Sequence, residues 1–266
     1  YILTQMSQEG TSFGDALAEA QRLGYAEADP TSDVSGEDAA FKLALLAGFA
    51  FGPAVDVCEV ATTSIEAVTA LDIAYAAELG HVIKQVGTAR LHDDGSVSAQ
   101  VGPVLLKKEH PLASVNGAFN AVWLDTLRAG DMMLYGRGAG GAPTASAVLG
   151  DLVAALKGIG EGADPLIGAK TAKIRASSEH VGRHYCRIQV VDQPGVLAAI
   201  AGVFGRHGVS IETFVQKGRD QDPVELVFIT HAGRAGALQG ALTEVRGLPI
   251  VHHVALCLGL FEDAKK

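Results

Sequence analysis

The chain has 266 residues, of which 48% are hydrophobic and 6% aromatic, with 32 glycines and a formal net charge of −9; this fits one to two domains of a soluble globular protein. The acidic balance, with no basic patch along the sequence, excludes nucleic acid and an anionic membrane surface as partners. No apolar run approaches the length of a membrane span, and no signal peptide is present.

Cys58, Cys186 and Cys257 are odd in number, widely spaced and free of any Cys-x-x-Cys pattern. They read as buried small residues in a reducing, cytoplasmic compartment, not as a disulfide frame or a zinc site. The histidines have no metal-ligand spacing and the serines no nucleophile elbow, so neither a metal centre nor hydrolase chemistry has support. The chain starts at Tyr1-Ile2-Leu3, already in an apolar pattern and without methionine, as a fragment would.

Ser12-Phe13-Gly14-Asp15 is a capping-box pattern, and Phe13, Ala16, Leu17, Ala20 and Leu23 follow at helical spacing until Gly24 fits the C′ position. Next comes Gly24-Tyr25-Ala26-Glu27-Ala28-Asp29-Pro30-Thr31-Ser32-Asp33-Val34-Ser35-Gly36-Glu37-Asp38-Ala39-Ala40-Phe41-Lys42. It gathers Glu27, Asp29, Asp33, Glu37 and Asp38 into a loop bracketed by Pro30 and Gly36. Ser35 followed three residues later by Asp38 predicts a helix start. Ala39, Leu43, Leu46, Ala47 and Ala50 form its apolar side, and the helix closes near Gly52-Pro53. Asp38 and Lys42 share a face. On spacing alone this is an acidic surface loop with an ordinary exposed ion pair, worth a few tenths of a kcal/mol. Against that, a helix so rich in alanine and leucine leaves little solvated surface for a lone cation facing many carboxylates.

The run resembles the substrate-binding segment of homoserine dehydrogenases, in which a Gly-Tyr-x-Glu-x-Asp-Pro stretch precedes an Asp-x-x-x-Lys pair. Those enzymes interconvert L-aspartate 4-semialdehyde and L-homoserine with NAD(P) as cofactor. The resemblance implies that Lys42 is the catalytic acid/base and that Glu27, Asp38 and Tyr25 bind substrate. It also implies that Asp33 supports that polar network and that Gly24 lies near the cofactor. Hydride transfer to an aldehyde needs a proton donor beside the oxygen as alkoxide charge develops, and a compact ammonium suits that part.

Thr63 to Glu66 opens a predicted helix that runs through Ala77 and stops at Gly80. Residues 81–91 and 96–106 read as strands joined by the turn signal Asp94-Gly95, and residues 119–128 and 131–135 continue the strand character across Ala129-Gly130. The fold class predicted is α+β, an open mixed sheet with helices on a face. Tyr135-Gly136-Arg137-Gly138-Ala139-Gly140-Gly141-Ala142-Pro143-Thr144 then precedes a helix over 144–157. Glycines before a helix start let backbone N–H groups approach an anion, yet the βαβ unit and later acid of a dinucleotide fold are missing. Composition alone favours a flexible joint. Homoserine dehydrogenases carry a similar Gly-x-Gly-Ala-Gly segment with a following Thr-Ala, which implies that Gly138 and Gly140 touch the cofactor as the chain returns to a nucleotide-binding domain.

Residues 158–182 read as a polar linker, with a short element at 172–178. Beyond it come a strand (185–191), a helix (194–207), strands (209–216 and 224–230), a helix (235–245) and a strand (250–260), a ferredoxin-like βαββαβ order. Val191-Asp192-Gln193-Pro194-Gly195-Val196-Leu197 and Phe204-x-x-His207-Gly208-Val209-Ser210-Ile211 resemble the signature of ACT domains, small amino-acid-sensing modules. By the residues alone, a plain ferredoxin-like interaction domain without ligand stays open. The resemblance implies an effector site at Asp192 and Gly195, L-threonine as effector, and assembly as a homodimer or homotetramer.

The organisation predicted is therefore a catalytic and substrate-binding domain over 1–157, whose 135–157 stretch returns to the nucleotide domain. A linker over 158–182 and an ACT domain over 183–262 follow. The family's N-terminal Rossmann domain, its upstream lysine and its alkali-cation site have no counterpart in this sequence. The expectation is a truncated homoserine dehydrogenase of threonine, methionine and isoleucine biosynthesis, inactive alone and regulated by threonine. The alternative is a stand-alone amino-acid-binding ACT protein with a relic active site. The preference between NAD and NADP is not legible, because the residues that read the 2′-phosphate belong to the nucleotide half.

Overall fold

In the computed structural model, which describes residues 1–158, 168–218 and 223–262, the apolar start of the chain forms α1 (Ile2–Glu9) and buries Ile2, Leu3 and Met6. Helix α2 (Phe13–Arg22) begins as its capping pattern predicts, with Ser12 Oγ accepting the Asp15 N–H at 3.2 Å. The acidic stretch folds where a loop was expected. Residues Thr31–Ser35 form α3, and Gly36, at φ 91, turns the chain into α4 (Glu37–Phe51).

The predicted Ser35–Asp38 capping box does not form. Ser35 is the last residue of α3 and its Oγ accepts the Glu37 N–H at 3.3 Å, while the Asp38 carboxylate takes Lys42 instead. The buried stripe of α4 is also displaced from expectation, to Ala40, Ala44, Ala47 and Gly48, with Leu46 and Ala50 exposed. Its small-residue face meets the sheet closely, and the larger Phe41, Leu45, Leu46 and Phe49 turn outward.

Short strands β1 (Pro53–Ala54) and β2 (Ala61–Thr62) follow. The helix expected from Thr63 begins later, as α5 (Ala70–Glu78), because Ala61–Thr62 pair with the main sheet and the Thr63 N–H is spent on Val101 O at 2.8 Å. A Thr69–Asp72 capping box starts it. Strands β3 (His81–Leu91) and β4 (Val97–Lys107) form an unbroken hairpin, and β5 (Phe119–Thr126) and β6 (Gly130–Arg137) make a separate two-stranded ribbon. Helix α6 (Gly141–Lys157) starts one turn earlier than predicted and buries no residue.

Residues 159–167 of the expected linker lie outside the described residues; 168–182 are well tied down. Strand β7 (Gly168–Thr171) pairs with β1, Arg175 bonds Ser96 and Asp94, and β8 (Val181–Gly182) follows. The rest comprises β9 (His184–Val190), α7 (Val196–Arg206), β10 (Ile211–Lys217), β11 (Val224–Thr230), β12 (Gly233–Arg234), α8 (Ala235–Arg246) and β13 (Val251–Leu260). The strand order β10-β11-β9-β13 is that of a ferredoxin-like sheet, as the element order predicts.

That sheet does not end at β13. Gly259 and Leu260 pair in parallel with Val104 and Leu105 of β4, so one seven-stranded sheet runs through both halves of the chain. Because neighbouring side chains on β9 face opposite ways, Cys186, Ile188 and Val190 pack under α7 and α8, whereas Tyr185 enters a core shared with Met6, Val68, Tyr75, Ile83 and Leu105.

On that shared side Arg187 is almost fully buried and grips the buried Asp72 through Nε at 2.6 Å and Nη2 at 2.9 Å. The Tyr185 hydroxyl and the Thr69 N–H and Oγ1 also donate to Asp72, and Arg187 Nη1 donates to Glu225 at 3.1 Å. Burial, with the adjacent Asp72 carboxylate, pushes the Tyr185 phenol up. Removing one member leaves a buried charge unpaired, so Asp72→Ala is expected to lose about 3–5 kcal/mol in urea unfolding. The double replacement Asp72→Leu with Arg187→Met should recover most of it. A single variant as stable as the parent would show that water has already entered this network.

Candidate functional site

The junction of α3 and α4 places the acidic residues in two pairs. Lys42 Nζ donates to Asp38 Oδ2 at 2.5 Å across one helical turn, with the two side chains 58% and 48% exposed. The pair is therefore solvated, against the expectation that α4 leaves little open surface. Asp33 Oδ2, on α3, accepts the backbone N–H of Glu27 at 3.1 Å, which holds the strand of chain bearing the Glu27 carboxylate. Gln21 Nε2 fastens the same segment through the carbonyls of Glu27 and Ala28 at 2.9 and 3.2 Å. The Glu27–Asp33 pair precedes Gly36 and the Asp38–Lys42 pair follows it. The Tyr25 ring lies elsewhere, packed against Tyr1 at 5.0 Å and against the shared core.

The Glu27 carboxylate can accept from an ammonium group, and the Asp38–Lys42 pair can donate a proton from Lys42. Gly36 is the pivot of the junction. Its φ of 91 is a left-handed conformation, and a Cβ there would meet Val101 Cγ1 at 3.2 Å and Gln85 Nε2 at 3.4 Å. Gln85, on β3, was not legible as a site residue. Its amide nitrogen is buried beneath the junction with no hydrogen-bond partner among the described residues. Sequence offered no signal for it beyond a polar side chain in a strand. Lys84 next to it donates to Val115 O at 2.6 Å and Asn116 Oδ1 at 2.7 Å, and burial pushes its ammonium down.

The glycines that the sequence offers to a cofactor differ in character. Gly24, at φ 72, and Gly140, at φ 115 as the N-cap of α6, carry bare Cα atoms with open space or only Pro143 around them. Gly140, at a helix N-terminus, fits a close approach of a phosphate-bearing ligand, whereas Gly24 follows the C-terminal end of α2 and its N–H already donates to Gln21 O at 3.0 Å. Gly138 has a packing reason of its own: a Cβ there would sit 2.1 Å from Asn120 Nδ2, and its N–H already donates to Ala118 O at 3.0 Å.

The residues that the sequence offers to an effector, Asp192 and Gly195, lie at the turn between β9 and α7. Gly195, at φ 91, is the N-cap of α7. A shallow cavity of about 100 Å³ is bounded there by Val190, Asp192, Gln193, Gly195, Val196 and Gln216. Asp192 is exposed and accepts a long 3.4 Å hydrogen bond from Gln216 Nε2. A carboxylate and a helix N-terminus therefore lie together at this turn, groups of opposite electrostatic sign.

Comparison with known proteins matches the chain to two family models. Residues 1–153 match the family model described as homoserine dehydrogenase, and residues 184–249 match the ACT domain. The chain is 42% identical to homoserine dehydrogenase of Synechocystis over 265 residues, covering 96% of this chain and 61% of that protein. Against the enzyme of Corynebacterium glutamicum it is 39% identical, covering 99% of this chain and 60% of the relative. The crystal structure of a homoserine dehydrogenase from Thiobacillus denitrificans superposes with a TM-score of 0.89 at 35% identity, over 98% of this chain and 61% of that one. The chain thus spans about three fifths of the length of the relatives it matches.

Gly36→Ala tests the pivot. A side chain forced into the left-handed region costs about 1–2 kcal/mol, and here the new Cβ also presses on Val101 and Gln85. Gly10, at φ 67 with nothing within 4 Å, is the control. Calorimetry should find Gly36→Ala melting below Gly10→Ala. The reverse order would mean that α4 shifts freely at its start.

Proposed function

The chain belongs to the homoserine dehydrogenase family, and we propose that it supplies the substrate-binding and proton-transfer portion of an NAD(P)-dependent enzyme that interconverts L-homoserine and L-aspartate 4-semialdehyde in threonine, methionine and isoleucine biosynthesis. The observation that carries this reading is the Lys42–Asp38 pair on the first turns of α4, in the same family-type segment of chain as Glu27 and Asp33.

In the reducing direction, Lys42 donates its proton to the aldehyde oxygen as negative charge grows there, and in the oxidising direction it takes the hydroxyl proton back. Asp38 holds the Lys42 ammonium in one orientation, which pre-aligns that proton. Glu27 accepts from the substrate α-ammonium, on a backbone fixed by Asp33. Gly24 and Gly140 are the residues of this chain that would lie against a nicotinamide cofactor, which when bound supplies or accepts the hydride. Gly136-x-Gly138-x-x-Gly141 runs from the end of β6 into α6, but β6 pairs with β5 in a two-stranded antiparallel ribbon and not in the parallel βαβ unit that holds a dinucleotide, so this chain alone is inactive and binds NADPH weakly.

We also assign the Asp192–Gly195 turn to an amino-acid effector, with L-threonine as the ligand. Asp192 takes the ammonium and the α7 N-terminus the carboxylate. Binding there favours one arrangement of a homodimer or homotetramer over another.

Three measurements test these assignments. In a chain joined to a nucleotide-binding domain, Lys42→Ala should cut kcat by roughly a hundredfold or more, while Glu27→Gln and Asp38→Asn should lower kcat/KM. Near-normal kcat for Lys42→Ala would remove it from the reaction. Calorimetric titration of the 266-residue chain with NADPH should show no micromolar binding; such binding would mean that the glycine-rich segment does more than approach the cofactor. Millimolar threonine should raise the melting temperature of the same chain more than serine or valine does. Asp192→Ala should abolish that difference, and equal shifts for all three amino acids in the parent would leave the ACT domain an assembly module.

A further inference from the structure

Cys186 and Cys257 are directly opposite each other on β9 and β13, with their Sγ atoms 3.4 Å apart. Side-chain parity explains how they meet. Val254 and Cys257 pack on the α7–α8 side of the sheet, whereas Leu256, Leu258 and Leu260 face the shared core on the other side. Strict alternation would keep Val254 and Leu256 on one face and send Cys257 to the opposite one. The register shift between Val254 and Leu256 inserts one residue and inverts the parity, so that Cys257 is brought back onto the face of Cys186.

Residues directly opposite in an antiparallel pair have Cα separations within the range that a disulfide spans. Cys186 is fully buried and Cys257 half-buried, so only Cys257 is reached first by a small solute. We propose that Cys186 and Cys257 form a reversible thiol–disulfide modification site, closed by a hydroperoxide and opened by a dithiol.

The Cys257 sulfur, as thiolate, attacks a peroxide oxygen and breaks the O–O bond. An alkoxide or hydroxide leaves and is protonated, and Cys257 becomes a sulfenic acid. The Cys186 sulfur then attacks the Cys257 sulfur, forming the S–S bond and breaking S–O, and its proton leaves with the hydroxyl as water. The two thiols lose two electrons and two protons, and the peroxide gains both. A dithiol reverses the change by exchange, becoming a disulfide itself. The bridge closes two residues before Gly259, where β13 passes into its pairing with β4, and one residue from Arg187. It therefore pins β13 to β9 at the seam of the common sheet.

The test treats the 266-residue chain with hydrogen peroxide, alkylates remaining thiols under denaturing conditions and maps the peptides by mass spectrometry. The expected product is a linked peptide pair carrying Cys186 and Cys257, lighter by two hydrogens, reopened by dithiothreitol and formed equally in a Cys58→Ser background. The oxidised chain should melt at a higher temperature than the reduced one. In Cys186→Ala, Cys257 should be trapped by dimedone without a linked peptide; if that variant does not fold, the peptide map of the parent decides alone. The proposal is overturned if Cys186 and Cys257 both remain fully alkylable while Cys58 oxidises, if Cys257 links only to Cys58, or if it passes to sulfinic acid with Cys186 free.

Discussion

The grip of Arg187 on Asp72 is the interaction on which the arrangement of the two halves depends. A buried ion pair repays its desolvation only when its remaining donors and acceptors are satisfied. Here Asp72 receives the Arg187 fork, the Tyr185 hydroxyl and the Thr69 cap, and Arg187 reaches on to Glu225. Because Asp72 sits in the first turn of α5 and Arg187 in the centre of β9, the network fixes one register and one angle between a helix of the first half and a strand of the second. Apolar packing alone is far more permissive of sliding. The Lys217–Glu78 pair and the Lys217 ammonium over the Tyr75 ring strengthen the same contact at its rim.

Sheet continuity gives the lock its reach. The Asp192–Gly195 turn begins where β9 ends, β9 pairs with β13, and β13 passes into β4. Val101 of β4 in turn touches the space beside Gly36, from which α4 carries Asp38 and Lys42. A continuous ladder of backbone hydrogen bonds thus joins the ferredoxin-like sheet to β4, which packs beside the α3–α4 junction. Gly36 lies close against β3 and β4, and its positive φ and near contacts with Val101 and Gln85 tie the start of α4 to them.

How much of this was legible in the sequence follows from which forces are local. Turn and cap chemistry is local, so Ser12, Gly24, Asp94-Gly95 and Gly195 mark their element boundaries well, and the βαββαβ order follows from apolar runs between them. The Ser35–Asp38 box failed because a five-residue helix claimed Ser35 first, and Thr63 failed as a helix start because a distant strand took its N–H. The Asp72–Arg187 lock joins residues more than a hundred positions apart, and the Cys186–Cys257 contact depends on a bulge; neither leaves a periodic trace. For the site, the pattern fixed Asp38 and Lys42 on one face through helical geometry alone. It could not show that Tyr25 turns to Tyr1 or that Gly138 is a groove for Asn120.

The displaced stripe of α4 carries the remaining argument. Hydrophobicity marks side chains suited to burial but does not say against what. On α4 the sheet takes the alanines, with Ala40 and Ala44 packed in one cluster with Ala99 and Val101 of β4, while Leu43 reaches the space left by Gly87 on β3. Phe41, Leu45 and Phe49 are left outward, and α6 shows the same pattern with Val148, Leu149, Leu152, Val153 and Leu156. Apolar faces of this extent on neighbouring turns are built for contact with another surface. In a chain that spans three fifths of its relatives' length, the Lys42–Asp38 pair lies on the same helix as such a face, so the solvation of that pair belongs to this chain as it stands. Covering the α4 face would lower the local dielectric around Lys42, strengthen its attraction to Asp38 and hold the ammonium in one rotamer. The Lys42–Asp38 pair and the apolar face thus share one helix, and whatever covers the face sets the electrostatic surroundings of the pair.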